Sequence, residues 1–235
     1  MMGSKEQYIR LNIEQIRQKI EIAAQKSGRG LEDIKIVAVT KTVDADTIKI
    51  ALEDGLLDLG ESKVQEISKK FNGFTSNYKL HFIGHLQKNK VKYIIDKVYM
   101  IHSLDSFQLA EEINKQAKRA NKLVDVLVEV NISGEESKYG ISKEEVLDFM
   151  YKIKGMEAIN VRGLMTVAPL RENSEENRWV FSQLRKISID IKKEKIDNIS
   201  MEYLSMGMSN DFEVAIEEGA NIVRIGRAIF GERDY

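Results

Sequence analysis

The 235-residue chain has no cysteine, which rules out disulfides and thiolate metal sites. It has a single proline, Pro169, and a single tryptophan, Trp179, and no proline-rich or low-complexity linker. No apolar stretch approaches the roughly 20 residues of a membrane span, and Met1 to Arg10 hold no apolar signal core. An excess of one charge is missing too. With 36 basic and 37 acidic residues the net charge is -1, so neither nucleic acid nor an anionic membrane is an expected partner. These absences point to a soluble protein of the cytoplasm.

What the chain does have is a regular alternation. Ser4 to Lys26 reads as an amphipathic helix, with Ile9, Ile13, Ile16 and Ile20 at helical spacing among charged residues. Strand-like runs follow at Lys35–Thr40, Leu56–Gly60, Leu80–Gly84, Val98–His102, Val124–Val130, Asn160–Met165, Glu202–Met206 and Asn221–Ile225. Between them lie helical stretches at Asp44–Asp54, Lys63–Phe71, Lys88–Ile95, Ser106–Arg119, Lys143–Lys154, Glu175–Lys193 and Asp211–Glu218, with Asp44, Ser106 and Asp211 as N-caps. Strict βα alternation implies parallel strands. Eight such units imply one closed (β/α)8 barrel spanning residues 34–231, preceded by an N-terminal helix within residues 1–30 and forming a single domain over residues 1–235. Gly231 to Tyr235 is too short for a final helix, so the N-terminal helix is expected to cover the gap it leaves.

In such barrels the chemistry gathers at the C-terminal ends of the strands. Lys41 closes the first apolar run there. A lysine buried at such a place loses the advantage of its charged form and offers a free amine that attacks carbonyls. The plainer alternative is a lysine that has run off the strand into solvent. The ends of the last two strands reverse those odds. Ser205-Met206-Gly207-Met208-Ser209-Asn210 and Arg224-Ile225-Gly226-Arg227 occupy the usual phosphate site of this architecture. Ser209 stands at a helix mouth, Gly207 allows close backbone approach, and Gly226 and Arg227 can offer backbone amides. An ordinary glycine-rich turn with a serine cap is the competing reading. Arg224, beside Lys41 around the ring, can only donate hydrogen bonds. An amine, a phosphate cradle and a donor-only cation at one mouth suit pyridoxal 5'-phosphate, with its aldehyde to Lys41, its phosphate to Ser209 and Gly226, and its ring nitrogen to Arg224.

These stretches resemble the YggS/PROSC family of pyridoxal-phosphate homeostasis proteins, related to the barrel domain of bacterial alanine racemase. The likeness runs from about Ile34 to Tyr235. It is carried by Val39-Thr40-Lys41, Gly60-Glu61-Ser62-Lys63-Val64-Gln65-Glu66, His81-Phe82-Ile83-Gly84-His85-Leu86-Gln87-Lys88-Asn89-Lys90, Glu136-Ser137-Lys138-Tyr139-Gly140, Gly163-Leu164-Met165-Thr166, Leu204-Ser205-Met206-Gly207-Met208-Ser209 and Val223-Arg224-Ile225-Gly226. The resemblance implies the fold of the alanine racemase N-terminal domain without its C-terminal β domain. It also implies a Schiff base on Lys41, phosphate contacts from Ser209, Gly226 and Arg227, and Arg224 against the pyridine nitrogen. The sequence departs from the family at Ser62, where Asn is usual, and at Arg227, where Thr or Ser is usual.

The implied role is storage, buffering or delivery of the cofactor rather than catalysis. A donor-only partner weakens the ring as an electron sink, and the second domain that gives racemases their opposing catalytic tyrosine is lacking. A Schiff-base enzyme, a racemase or an aldolase acting on a phosphorylated substrate, is the alternative. PLP-dependent apoenzymes are candidate recipients, and a monomer is expected. Further candidates around the cofactor are Ser62, His85, Asn131, Met165 and Met208, each with a structural reading beside it. Glu61 is a weaker candidate at the mouth. His81 and His85 are not expected to bind metal, His102 reads as a wall residue, and Trp179 as an anchor for its helix.

Overall fold

A computed structural model describes residues 2–71 and 77–232. Its strands are β1 (Lys35–Val39), β2 (Asp58–Glu61), β3 (Lys79–Phe82), β4 (Met100–Leu104), β5 (Val124–Asn131), β6 (Ile141–Ser142), β7 (Ile159–Met165), β8 (Ile199–Met208) and β9 (Ile222–Ile225). All neighbouring strands run parallel. They follow one another as β4-β3-β2-β1-β9-β8-β7-β5, and β4 pairs again with β5, so eight strands close into a barrel. The two-residue β6 adds to the upper end of β5 and was not foreseen.

Helices α1 (Met2–Lys26), α2 (Ala45–Glu53), α3 (Val64–Lys70), α4 (Phe107–Arg119), α5 (Val146–Ile153), α6 (Arg178–Glu194), α7 (Phe212–Glu217) and α8 (Arg227–Phe230) surround it. Local chemistry explains most of their bounds. Asp44 caps α2, accepting from the Thr47 amide at 2.8 Å and the Thr47 hydroxyl at 2.7 Å. Ser106 and Asp211 hold the N-cap positions of α4 and α7 without a capping bond. The stretch expected to be a helix over Lys88–Ile95 is a 3-10 helix over Lys88–Tyr93, longer than the roughly three or four residues usual for that form. A single helical turn, α8, follows β9 and ends just before Gly231; residues 233–235 of the tail expected to be too short for a helix lie outside the described residues. Trp179 does not anchor α6: it is half exposed, while Val180, Phe181 and Leu184 are fully buried.

Side-chain alternation sets the layers. Ala38, Leu59, Leu80, Phe82, Ile101, Val126, Val128 and Val223 point outward into the main core beneath the helices. Val37, Met100, Leu127, Met165 and Ile222 point inward and form a small apolar plug. The buried stripe of α1, namely Ile9, Ile13, Ile16 and Ile20, packs against α2, α7 and α8, as expected of a helix filling the gap beside the last strand. Asn12 donates to the Ile229 carbonyl of α8 at 3.0 Å, and Arg10 and Arg17 both grip Asp54 at the end of α2.

Candidate functional site

Lys41 shares the inward parity of Val37 and Val39, and both Val39 and Lys41 line a cavity of about 500 Å³ at the barrel mouth. The Lys41 side chain is partly buried, and its nitrogen has no hydrogen-bond or ion-pair partner among the described residues. Its backbone is held firmly instead. Thr42 adopts φ +65°, an uncommon conformation for a β-branched residue. Its amide donates to Glu66 at 2.8 Å and its hydroxyl to the Lys41 carbonyl at 2.6 Å. On the other side, Lys70 of α3 donates to the Thr40 carbonyl at 2.7 Å, to Glu66 at 2.6 Å and to Glu61 at 3.0 Å.

Glu61 also accepts from the Thr40 hydroxyl at 2.7 Å. It therefore faces α3 rather than the mouth. Burial pushes its carboxyl upward, and Thr40 and Lys70 only partly offset that. The end of β1 that presents Lys41 is thus tied to α3 before and after the lysine.

Beside β1 around the ring, and lining the same cavity as Lys41, are the ends of β9 and β8. The Ser209 hydroxyl accepts from the Gly226 and Ala228 amides, each at 3.4 Å. Those are long contacts, so two amides at the start of α8 point at one weak acceptor and remain available to a stronger one. Asp211 shapes the loop between them, accepting from the Met208 amide at 2.7 Å and from Asn177 at 2.9 Å. Gly207 has φ +89°, and a Cβ there would lie 2.6 Å from the Ala215 Cβ and 2.9 Å from the Phe212 Cα. The close backbone approach that Gly207 allows is that of β8 onto α7. The Arg227 side chain is exposed at the rim, 3.5 Å from Asn210.

Arg224, 4% exposed, stands on the inner face of β9. It donates to the Ser205 carbonyl at 2.8 Å, the Ser205 hydroxyl at 2.7 Å and the Thr166 carbonyl at 2.8 Å. Burial pushes its pKa down to about 10, against the opposing charges of Glu129 and Asp211, so it remains a cation at neutral pH. Its two Nη atoms are fixed to the wall, which limits the donors left for the cavity it lines.

Lys41, Ser62, Met208, Ser209, Arg224, Gly226 and Arg227 therefore meet around one cavity. Asn131, Met165 and His85 are not among its lining residues. Asn131 organises the loop after β5, donating to the Glu135 carbonyl at 2.9 Å and accepting from the Gly134 amide at 3.0 Å. Met165 belongs to the inner plug. His85 lies 3.0 Å from Asp105 and stacks on Tyr139 with ring centroids 3.8 Å apart. Two groups escaped the sequence reading. One is the Ala228 amide, hidden because no strand-end motif marks a second donor in α8. The other is Glu129 on the inner face of β5, 8% exposed, whose carboxyl rises to about 7 through burial and the nearby Asp105 charge despite Arg224.

Such a site suits an anion that also carries a carbonyl and an aromatic ring acceptor.

The alanine racemase N-terminal domain family matches residues 11–234. A pyridoxal phosphate homeostasis protein of Aquifex aeolicus is 43% identical over 224 residues, covering 95% of this chain and 97% of the relative. A solved protein of unknown function from Bifidobacterium adolescentis has a TM-score of 0.91 at 33% identity, covering 97% of this chain and 96% of its own. The PipY protein of Synechococcus elongatus, solved with PLP bound, has a TM-score of 0.79 at 28% identity, covering 85% and 93%. Alanine racemase of Clostridium difficile shares the fold, with a TM-score of 0.76 at 18% identity; this chain is covered to 97% but the racemase only to 58%.

Proposed function

The chain belongs to the pyridoxal phosphate homeostasis family, built on the alanine racemase N-terminal barrel, and from that premise we propose that it binds pyridoxal 5'-phosphate in the mouth cavity and stores, buffers or delivers it. The observation that carries this reading is the convergence of Lys41, Arg224 and the Ser209–Gly226 pair on one cavity. When bound, the group supplies an aldehyde that condenses with a primary amine and releases water. Lys41 is the amine at hand. Ser209 and the amides of Gly226, Arg227 and Ala228 would hold the phosphate, with the Arg227 guanidinium adding charge where the family's usual hydroxyl is missing. Arg224 would face the ring nitrogen and, being unable to accept a proton, keep it an acceptor. Ser62 and Met208 would complete the walls.

Two features favour a carrier over an enzyme. Arg224 stands where a carboxylate would strengthen the ring as an electron sink. Among the described lining residues there is also no tyrosine, histidine or cysteine to work the far face; Asp211 is engaged by Asn177 and Met208, and Glu232 is exposed at the rim. Apoenzymes that use this cofactor are the natural recipients.

The test is spectroscopic. Adding pyridoxal 5'-phosphate to the purified protein should produce a visible absorbance that Lys41→Ala removes, and borohydride should trap the cofactor on the peptide containing Lys41. Label on a different lysine would overturn the assignment. Turnover of common amino acids should be negligible, and robust Lys41-dependent turnover would replace the carrier reading with an enzymatic one.

A further inference from the structure

Barrel interiors of this kind are ordinarily filled with branched apolar side chains. Here a line of polar residues crosses the interior beside the apolar plug. Asp58 of β2 lies 2.8 Å from His81 Nε2 on β3. His81 Nδ1 lies 2.9 Å from His102 Nε2 on β4. His102 Nδ1 lies 3.0 Å from the Ser205 hydroxyl on β8, and that hydroxyl takes the 2.7 Å bond from Arg224 on β9. Both imidazoles are fully buried. The line runs the length of the barrel. Asp58 lines a cavity at the N-terminal end with Lys35, Leu56 and Asn221, whereas Arg224 lines the mouth.

The two ends dictate the order of the hydrogens. Arg224 can only donate. Burial raises the Asp58 carboxyl, but His81, Lys35 and Lys79 outweigh it and leave it below the usual range, so it is an ionised acceptor. Burial holds both histidines below their usual range, His102 strongly, with His81 and Arg224 adding to the effect on His102. Between a fixed donor and a fixed acceptor, two neutral imidazoles have one consistent arrangement. Ser205 donates to His102 Nδ1, His102 Nε2–H donates to His81 Nδ1, and His81 Nε2–H donates to Asp58. Reversal would set a ring lone pair against the Asp58 carboxylate and strand the Ser205 hydroxyl hydrogen, which already faces a donor.

We propose that Asp58, His81, His102 and Ser205 are positioning residues, a one-way hydrogen-bond relay that fixes the orientation of the Arg224 guanidinium at the cavity wall. The relay rests on the reading of Arg224 as the partner of the cofactor ring. Its order of hydrogens, however, is a property of the protein alone. An arginine held by main-chain carbonyls only could tilt; the third bond, to an oxygen whose own hydrogen is committed to His102, fixes the plane of the fork.

The experiment is nitrogen-15 NMR of histidine-labelled protein without cofactor. His81 and His102 should each be neutral and carry the proton on Nε2, unchanged between about pH 6 and 9. A proton on His102 Nδ1, or a mixture of tautomers, would overturn the relay, and this measurement needs no variant. In Asp58→Ala the His102 signals should shift toward mixed tautomers, two links from the change; unaltered His102 signals would also overturn it. Ser205→Ala should weaken pyridoxal 5'-phosphate binding about tenfold while borohydride still labels Lys41, and Ser205→Thr should restore binding; equal affinity in all three proteins counts against the relay. Failure of the wild type to bind the cofactor would remove the proposed function and leave the tautomer result standing.

Discussion

Glu129 shows what a single residue can contribute without a motif. It sits on the inward parity of β5 with Leu127, and burial and the Asp105 charge lift its carboxyl to about 7. The folded protein therefore holds a proton there at pH values where the unfolded chain, with an ordinary carboxyl, has released it. Stability falls as pH rises from the usual carboxylate range to about 7, then levels off with the charge buried. Glu129→Gln should remove that decline and stabilise the protein above pH 7 by on the order of 3 kcal/mol. Urea titrations at several pH values check this, and parallel curves for variant and wild type would refute it. The residue was legible in principle, as an acid on the inner parity of an apolar run. Lys41, Ser209, Arg224 and Gly226 were easier, because strand-end position is read directly from the βα alternation. The partnership of His81 with His102 was not, since two residues on adjacent strands meet only once the register is known, and His81 pairs in register with Met100.

At the level of elements, α3 acts as a brace for the end of β1. Lys70 reaches three acceptors around Glu61, which is fully buried. Lys70→Met should leave that carboxyl without its counter-charge and cost about 3 kcal/mol. A loss in thermal stability of several degrees should accompany it, and a change near zero would show that the brace is decorative. The sequence displays Glu66 and Lys70 four apart on a helix, a spacing equally typical of a solvated pair. Nothing in that spacing distinguishes a surface pair from a clamp on Thr40 and Thr42, because the distinction lies in the packing of α3 on the barrel. Strands were legible where apolar residues were dense, whereas β6 and α8 are too short for any periodicity to register.

For the molecule as a whole, α1 is part of the wall and not an appendage. Ile13 is 1% exposed, and the helix is joined to α2 and α8 by Arg10, Arg17 and Asn12. Ile13→Ala should cost about 3 kcal/mol and shift one cooperative unfolding transition, seen alike by far-ultraviolet dichroism and tryptophan fluorescence. Loss of a separate early phase, with the main transition unmoved, would mean that the barrel stands without α1. The isoleucine stripe made the helix plain in the sequence, and the shortness of the chain after the last strand suggested where it docks.

The pairing of β4 with β5 completes the ring, and among the described residues the one strand segment left with an open side is Ile141–Ser142. A visiting chain has almost no row of free amides and carbonyls on which to lay a strand of its own. A protein docking at this end would have to recognise loops and side chains around the opening, and self-association through sheet extension is disfavoured from the outset.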